Sequence, residues 1–248
     1  MNIIFHAHTT YSHDGKLSCQ ELSDLGRQQK IDVIFVSDHY EDFTPHSFSK
    51  FVKECKFVSE TNECKLIPGY EKRWFGFDLC AFGLYEWTDD DDLTLWAKKI
   101  NNQKAFIGLV HPIRYKHKIP SNILEVVDGI EVWNSKWPYD GKIIPHPGIT
   151  RLMNDKSKIY FAGQDIHKRS DGNSLRLEIA NTKKIDNPIE IINLLKLGDF
   201  SIRTNYIVFN KKKLQSFSIP LLVFHTIRRH VLFTSYSIHK QIKKLFKP

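Results

Sequence analysis

Short apolar runs alternate with amphipathic stretches from residue 2 to residue 209. Ile3–His6 reads as a strand at the start of the chain. Ser18 to Lys30 reads as a helix, with Ser18 as N-cap and Glu21 three residues on, a capping box. Asp32–Ser37 has the apolar content of a buried strand and ends in Asp38-His39. His46–Ser59 reads as a helix, Lys65–Glu71 as a short strand ending in a carboxylate, and Phe77–Leu84 as a further apolar run. Asp89–Asp92 opens the next helix, where acids suit N-cap and dipole roles better than a cation site. Ala105–Val110, Gly129–Trp133 and Lys158–Gly163 read as strands. They end at His111-Pro112, at Asn134 and at Gln164-Asp165-Ile166-His167. Pro188–Leu197 reads as a helix and Ser201–Phe209 as a last strand. This alternation predicts a parallel sheet. Closure of that sheet as a barrel would bring the strand ends to one rim, where barrel enzymes keep their chemistry.

Most of those strand ends carry a His or an acid. Residues two apart on a strand share a face, so His6 and His8 would project together from the first strand. His13 lies in the loop just beyond, before a turn assisted by Gly15. The candidate metal ligands are His6, His8, His13, His39, Glu71, His111, Asp165 and His167. Mixed imidazole and carboxylate ligands suit Zn²⁺, Mn²⁺ or Fe²⁺. Eight ligands are too many for one ion, and a carboxylate such as Glu71 can bridge two. Clustered ions activate water at neutral pH and hold both attacking and leaving oxygens, which phosphate ester hydrolysis needs most.

Charge changes the picture only once the chain is divided. The net charge is +8, yet residues 210–248 hold nine Lys/Arg and no acid, so residues 1–209 are close to neutral. The basic character therefore belongs to the tail and says little about the site. In the tail Phe224, Ile227, Val231, Ile238, Ile242 and Leu245 recur at helical steps among Lys and Arg after Pro220. A basic amphipathic helix of this kind suits an anionic membrane surface, nucleic acid, or docking on the preceding domain. No apolar run is long enough to span a bilayer, no leader is read at the N-terminus, and four scattered cysteines suit a reducing cytoplasm.

The motifs His6-x-His8 with Ser12-His13-Asp14-Gly15, Ser37-Asp38-His39, Pro68-Gly69-Tyr70-Glu71, Val110-His111-Pro112 and Gly163-Gln164-Asp165-Ile166-His167 come in an order that resembles the PHP (polymerase and histidinol phosphatase) family. The resemblance covers roughly residues 1–209 and implies a distorted (β/α)7 barrel with a two- or three-metal site; residues 210–248 form a basic helical extension outside it. By that resemblance His6, His8, Glu71 and Asp165 would hold a first ion, His13, His39 and His167 another, and Glu71 with His111 a middle one. Catalysis would rest on His6, His8, Glu71, Asp165 and His167. Two departures stand out: many members have Asp where His13 aligns, and Cys80 stands where many have a His. Asp38 would orient a ligand from behind.

A substrate phosphate needs cations on the same rim, and Arg73, Arg114, Lys168 and Arg169 are the candidates. Trp74, Trp133 and Trp137 are candidates for stacking on a base, with core packing the stronger reading for Trp133. His46 and His117 read as solvent-facing, and His146 lies in a Gly/Pro-rich loop. Asp128–Asn134 and His111–Tyr115 resemble small stand-alone phosphoesterases that act on nucleotides or short nucleic acids. The expectation is a cytoplasmic metal-dependent phosphoric ester hydrolase. The alternatives are a histidinol-phosphate-type phosphatase and a non-catalytic metal-containing module that binds a membrane or partner through its tail.

Overall fold

The computed structural model describes residues 1–116, 118–136, 139–140, 145, 157–180, 185, 187–206, 208–209, 227 and 231. The tail helix and the expectations for His117, Trp137 and His146 lie outside the described residues, apart from Ile227 and Val231, which are exposed.

The first strand, β1 (Asn2–Ala7), pairs in parallel with β2 (Val33–Val36), and β2 pairs in parallel with β4 (Lys65–Ile67). After Ser37, β3 (Asp38–His39) extends the same line and pairs with β5 (Gly69–Trp74), which follows β4 beyond Pro68. Proline has no N–H for the ladder, which accounts for the break at Pro68 inside the predicted Lys65–Glu71 strand. The ladder continues through β6 (Phe77–Phe82), β7 (Phe106–Leu109), β8 (Gly129–Asn134) and β9 (Ile159–Ile166). β9 pairs in parallel with β1, so the pairings return to the strand they began on.

The sheet is mixed, and this corrects the expectation of a parallel one. β6 runs antiparallel to both neighbours. Its link to β5 is the two-residue turn Phe75-Gly76, with φ of 51° and 87°. Two residues in left-handed backbone make a hairpin, and no crossover helix fits in that length. A further set, β10 (Arg176–Glu178), β11 (Ser201–Arg203) and β12 (Val208–Phe209), extends antiparallel from the edge of β1. The predicted last strand is thus a hairpin, and β10 was not anticipated.

Among the described residues five α-helices lie between the strands: α1 (Cys19–Gln28), α2 (Pro45–Thr61), α3 (Leu93–Asn102), α4 (Ser121–Val126) and α5 (Pro188–Leu197). The Ser18/Glu21 capping box forms as read. Asp92 is the N-cap of α3, while Asp89 and Asp90 pair with Lys72 and Lys99. Among the described residues no helix is long and apolar enough to cross a membrane.

The core beneath the strand ends is aromatic. Phe5 stacks on Phe35 with centroids 4.4 Å apart and meets Phe82 and Phe161 at 5.0 Å each. Gly108 makes room for this cluster, since a Cβ there would lie 2.7 Å from Cζ of Phe161. Phe161 is fully buried, so Phe161→Ala should lower unfolding free energy by about 3–5 kcal/mol. Denaturant unfolding checks this, and a loss near zero would mean that the ring does not support the floor of the site.

Candidate metal centre

The strand ends deliver their donors through irregular backbone. β1 carries an extra residue relative to β2, and β9 one relative to β1, which are bulges at His6 and Asp165. His6, His111 and Asp165 all have positive φ, at 68°, 44° and 52°. Non-glycine residues avoid this region, and each such residue costs roughly 1–3 kcal/mol that the surrounding structure must offset. The bulge replaces the simple two-residue alternation expected for His6-x-His8, yet both rings still reach the same carboxylates.

Two imidazoles meet the same two carboxylates. His6 Nε2 lies 3.4 Å from Glu71 Oε2 and 3.5 Å from Asp165 Oδ1. His8 Nε2 lies 3.4 Å and 3.6 Å from the same two atoms. These separations are long for hydrogen bonds. They match two atoms each about 2.1 Å from one tetrahedral ion, which are roughly 3.4 Å apart. A second group gathers His8, Asp14, His39 and His167, with His167 Nε2 2.9 Å and His39 Nε2 3.4 Å from Asp14. A third joins Glu71, Asp78 and His111, and His111 also lies 3.5 Å from Asp165. Cys80 is within reach of His6 and Glu71, but burial, then the charge of Glu71, pushes its thiol well up and keeps it protonated.

The donors fit bound cations. His6 Nε2, His8 Nε2, Asp14 Oδ1 and both ring nitrogens of His111 are buried without a hydrogen-bond partner. An unsatisfied buried polar atom is costly, and an ion shared among these atoms would satisfy them. Burial, and then the neighbouring His167 and His6, hold the His8 ring well below its ordinary pKa, in the neutral form that coordinates metal. Burial pushes the Asp165 carboxyl up, but His6, His111 and His8 outweigh it and keep Asp165 ionised.

Behind the donors stand residues that aim them. Glu131, buried in β8, sits 3.4 Å from His6 Nδ1 and accepts from the backbone N–H of His111 at 2.8 Å. It thereby leaves His6 Nε2 facing the carboxylates. Asp38 accepts from the Thr9 N–H, the Thr9 hydroxyl and the Ser12 hydroxyl at 2.6–2.8 Å. It holds the first loop to β3; the Ser12 hydroxyl in turn accepts from the His39 N–H at 2.8 Å. Gly15 is needed where it is, because a Cβ there would lie 1.8 Å from the Thr9 carbonyl oxygen.

Several expected residues sit elsewhere. His13 is exposed and bonds Asp42 at 2.8 Å, while its neighbour Asp14 faces the cluster. The turn that Gly15 closes presents one side chain inward, and it is the second of the His13-Asp14 pair. Arg73 and Arg114 both bind Asp78, at 2.9 Å and 2.6 Å, and so stand at the margin of the site. Burial pushes the Asp78 carboxyl up, but His111, the Tyr115 hydroxyl and Arg114 bring it down to about 2. Lys168 is exposed, with its N–H held by Asp171, and Arg169 turns toward Gln28 on α1; neither joins the described donor cluster. Trp133 is fully buried and Trp74 packs on Trp96, so neither presents a face to a base. Asp14, Asp78, Glu131 and Lys136 were missed as site residues. The Asp of Ser12-His13-Asp14-Gly15 and the acid inside Asp128–Asn134 were the available signals.

Comparison with known proteins agrees with this geometry. The model of the PHP domain family matches residues 5–130, half of the chain. The chain belongs to the PHP family. A two-domain protein from Bacteroides vulgatus ATCC 8482, containing a predicted PHP-like metal-dependent phosphoesterase, is 17% identical with a TM-score of 0.67 over 86% of this PHP chain and 67% of its own. PsfC from Pseudomonas syringae PB-5123 is 12% identical with a TM-score of 0.56, over 93% and 98% of the two chains. A proposed metal-dependent phosphoesterase from Bifidobacterium adolescentis ATCC 15703 is 12% identical with a TM-score of 0.51, over 78% and 96%. At these identities the likeness is one of fold. No curated protein matches the sequence significantly.

Two outcomes follow for this PHP centre. Glu131→Gln keeps the shape but removes the anion behind His6, and should weaken metal affinity by about 10–100-fold. Competition with a chelating dye measures it, and unchanged affinity would sink the assigned role. Gly15→Ala should displace the loop carrying Asp14, lower stability by about 1–3 kcal/mol and reduce bound metal, read by thermal melting and elemental analysis.

Proposed function

We propose that this PHP protein is a metal-dependent phosphoesterase that hydrolyses a phosphate ester, with a nucleotide or short nucleic acid as substrate. The observation that carries the reading is the convergence of buried, unpartnered imidazole nitrogens on shared carboxylates. The returning circuit of strand pairings supports a distorted seven-stranded barrel with these donors on one rim.

His6, His8, Glu71 and Asp165 would hold one divalent ion, and His8, Asp14, His39 and His167 the donors of another. Glu71, Asp78 and His111 could hold a third. Mn²⁺, Zn²⁺ and Fe²⁺ suit these donors. When bound, such ions supply Lewis acidity and activate water at neutral pH. The chain's own part is positional. Glu131 fixes the His6 ring, Asp38 fixes the first loop, and Glu71 offers one oxygen to each of two His groups. Arg73 and Arg114 share the single charge of Asp78, which leaves net positive charge at the rim for a substrate phosphate. Four buried, free cysteines support a reducing compartment such as the cytoplasm. The basic segment 210–248 is read as a separate surface for an anionic membrane or nucleic acid, or as a helix that docks on the domain.

The test is metal content together with phosphate release. The protein loaded with Mn²⁺, Zn²⁺ or Fe²⁺ should bind two or three ions and release phosphate from a mononucleotide or short oligonucleotide. Asp165→Asn and Asp14→Asn should each cut kcat/KM by about a hundredfold or more, whereas His13→Ala should stay near wild type. Chelation should abolish release and lower Tm. Selective release from histidinol phosphate would favour the monoesterase alternative. Bound metal without turnover of any ester would favour a non-catalytic module.

A further inference from the structure

Residues 134–136 and 139–140, which follow β8, are tied so as to hold one side chain over the centre. The Asn134 N–H donates to Asp140 at 2.8 Å, and the Asp140 N–H donates back to the Asn134 carbonyl at 3.1 Å. The Asn134 amide donates to Glu131 Oε2 at 3.0 Å and accepts from the Lys136 N–H at 2.9 Å. Glu131 is the same carboxylate that aims His6, so one buried acid sets both the ligand and this turn. Ser135 is held from the other side, by the Gly163 carbonyl at 3.1 Å and by Asn173 at 2.8 Å. Tyr139 then lies against the His111 ring, with centroids 4.7 Å apart.

The result is a lysine with a fixed backbone and a head inside the donor set. Lys136 Nζ is 2.6 Å from His167 Nδ1 and 3.3 Å from Asp165 Oδ1, and 27% of its side chain remains open to solvent. Arg73 and Arg114 share Asp78 at the margin of the site, whereas Lys136 reaches Asp165 and His167 inside the donor set. Both groups that the ammonium touches are candidate ligands. An ion held by Asp165 Oδ1 with His6 and His8 would displace the ammonium from that oxygen and leave its positive head at the open side of the centre, beside His167. Such a head is placed to receive an anion, and under the phosphoesterase reading that anion is a phosphoryl group.

We propose that Lys136 is the substrate-phosphate cation of the site, donating to a non-bridging phosphoryl oxygen once ions hold His167 and Asp165. This rests on the phosphoesterase reading and adds a residue that binds the reacting group directly. The probe is inorganic phosphate, titrated by calorimetry into full-length Mn²⁺-loaded protein. Lys136→Met keeps the length of the stem and removes the charge. It should weaken phosphate binding by about tenfold or more, the worth of a charge-assisted hydrogen bond, while metal content and Tm stay at wild-type values. Lys136→Arg should restore binding to within about threefold, since both heads are cationic donors. Phosphate binding by Lys136→Met within twofold of wild type, at equal metal content, overturns the assignment. So does loss of metal from Lys136→Met, because the lysine would then support the ligands rather than the substrate. Wild-type protein that binds no metal would instead defeat the phosphoesterase reading itself.

Discussion

Imidazoles and carboxylates crowded into one buried rim are the constraint on which the structure turns. His6, His8, His111, Glu71, Asp165 and Asp78 are nearly excluded from solvent within one sheet rim. Carboxylates and imidazoles in such a place must share protons, be neutralised, or hold a cation. Nε2 of His6, Nε2 of His8 and both ring nitrogens of His111 find no hydrogen-bond partner, and His8 is held neutral. The arrangement is therefore expensive as a structure and suited to a bound ion. Everything around it serves to keep the donors from relaxing away from one another.

The backbone shows where that support is applied. His6 and Asp165 occupy bulges on adjacent strands, and His111 begins a 3-10 turn, Pro112–Tyr115, all three in left-handed conformation. Regular strands would send alternate side chains to opposite faces, so the bulges re-aim single residues without disturbing the ladder beyond them. Beneath them the packed Phe5, Phe35, Phe82, Phe106 and Phe161 rings give a floor that cannot yield cheaply. Asp38 does for the first loop what the aromatic floor does for the strands.

Much of this was legible in the sequence, for a physical reason. Apolar runs ending in His or an acid mark strands that stop at a polar rim, and His6, His8, His39, Glu71, His111, Asp165 and His167, which stand at such ends, lie close to one another in the fold. His13 was chosen over Asp14 because loop sequence does not say which neighbour turns inward; that depends on the Gly15 approach to Thr9. Asp78 was missed because β6 runs backwards. Its beginning, not its end, reaches the rim, so Asp78 does not stand where a parallel strand would end. Glu131 lies within β8 rather than at its end, and Lys136 follows in a turn knit by side chains, which leaves no periodic trace in the sequence.

The reversed hairpin also divides the centre by the length of chain that must close. Glu71 and Asp78 meet through a two-residue turn, so their quadrant is a local unit of adjacent sequence. Asp165 reaches His6 only when β9 lays itself beside β1, across most of the domain. Loop-closure entropy rises with the length of chain enclosed, and non-local pairings form slowly. Loop length therefore favours the hairpin quadrant over the His6–Asp165 seam, whose two sides lie far apart in the chain. Ions held by Glu71 and Asp165 together would clasp the local quadrant to that distant seam, linking completion of the fold to occupancy of its rim.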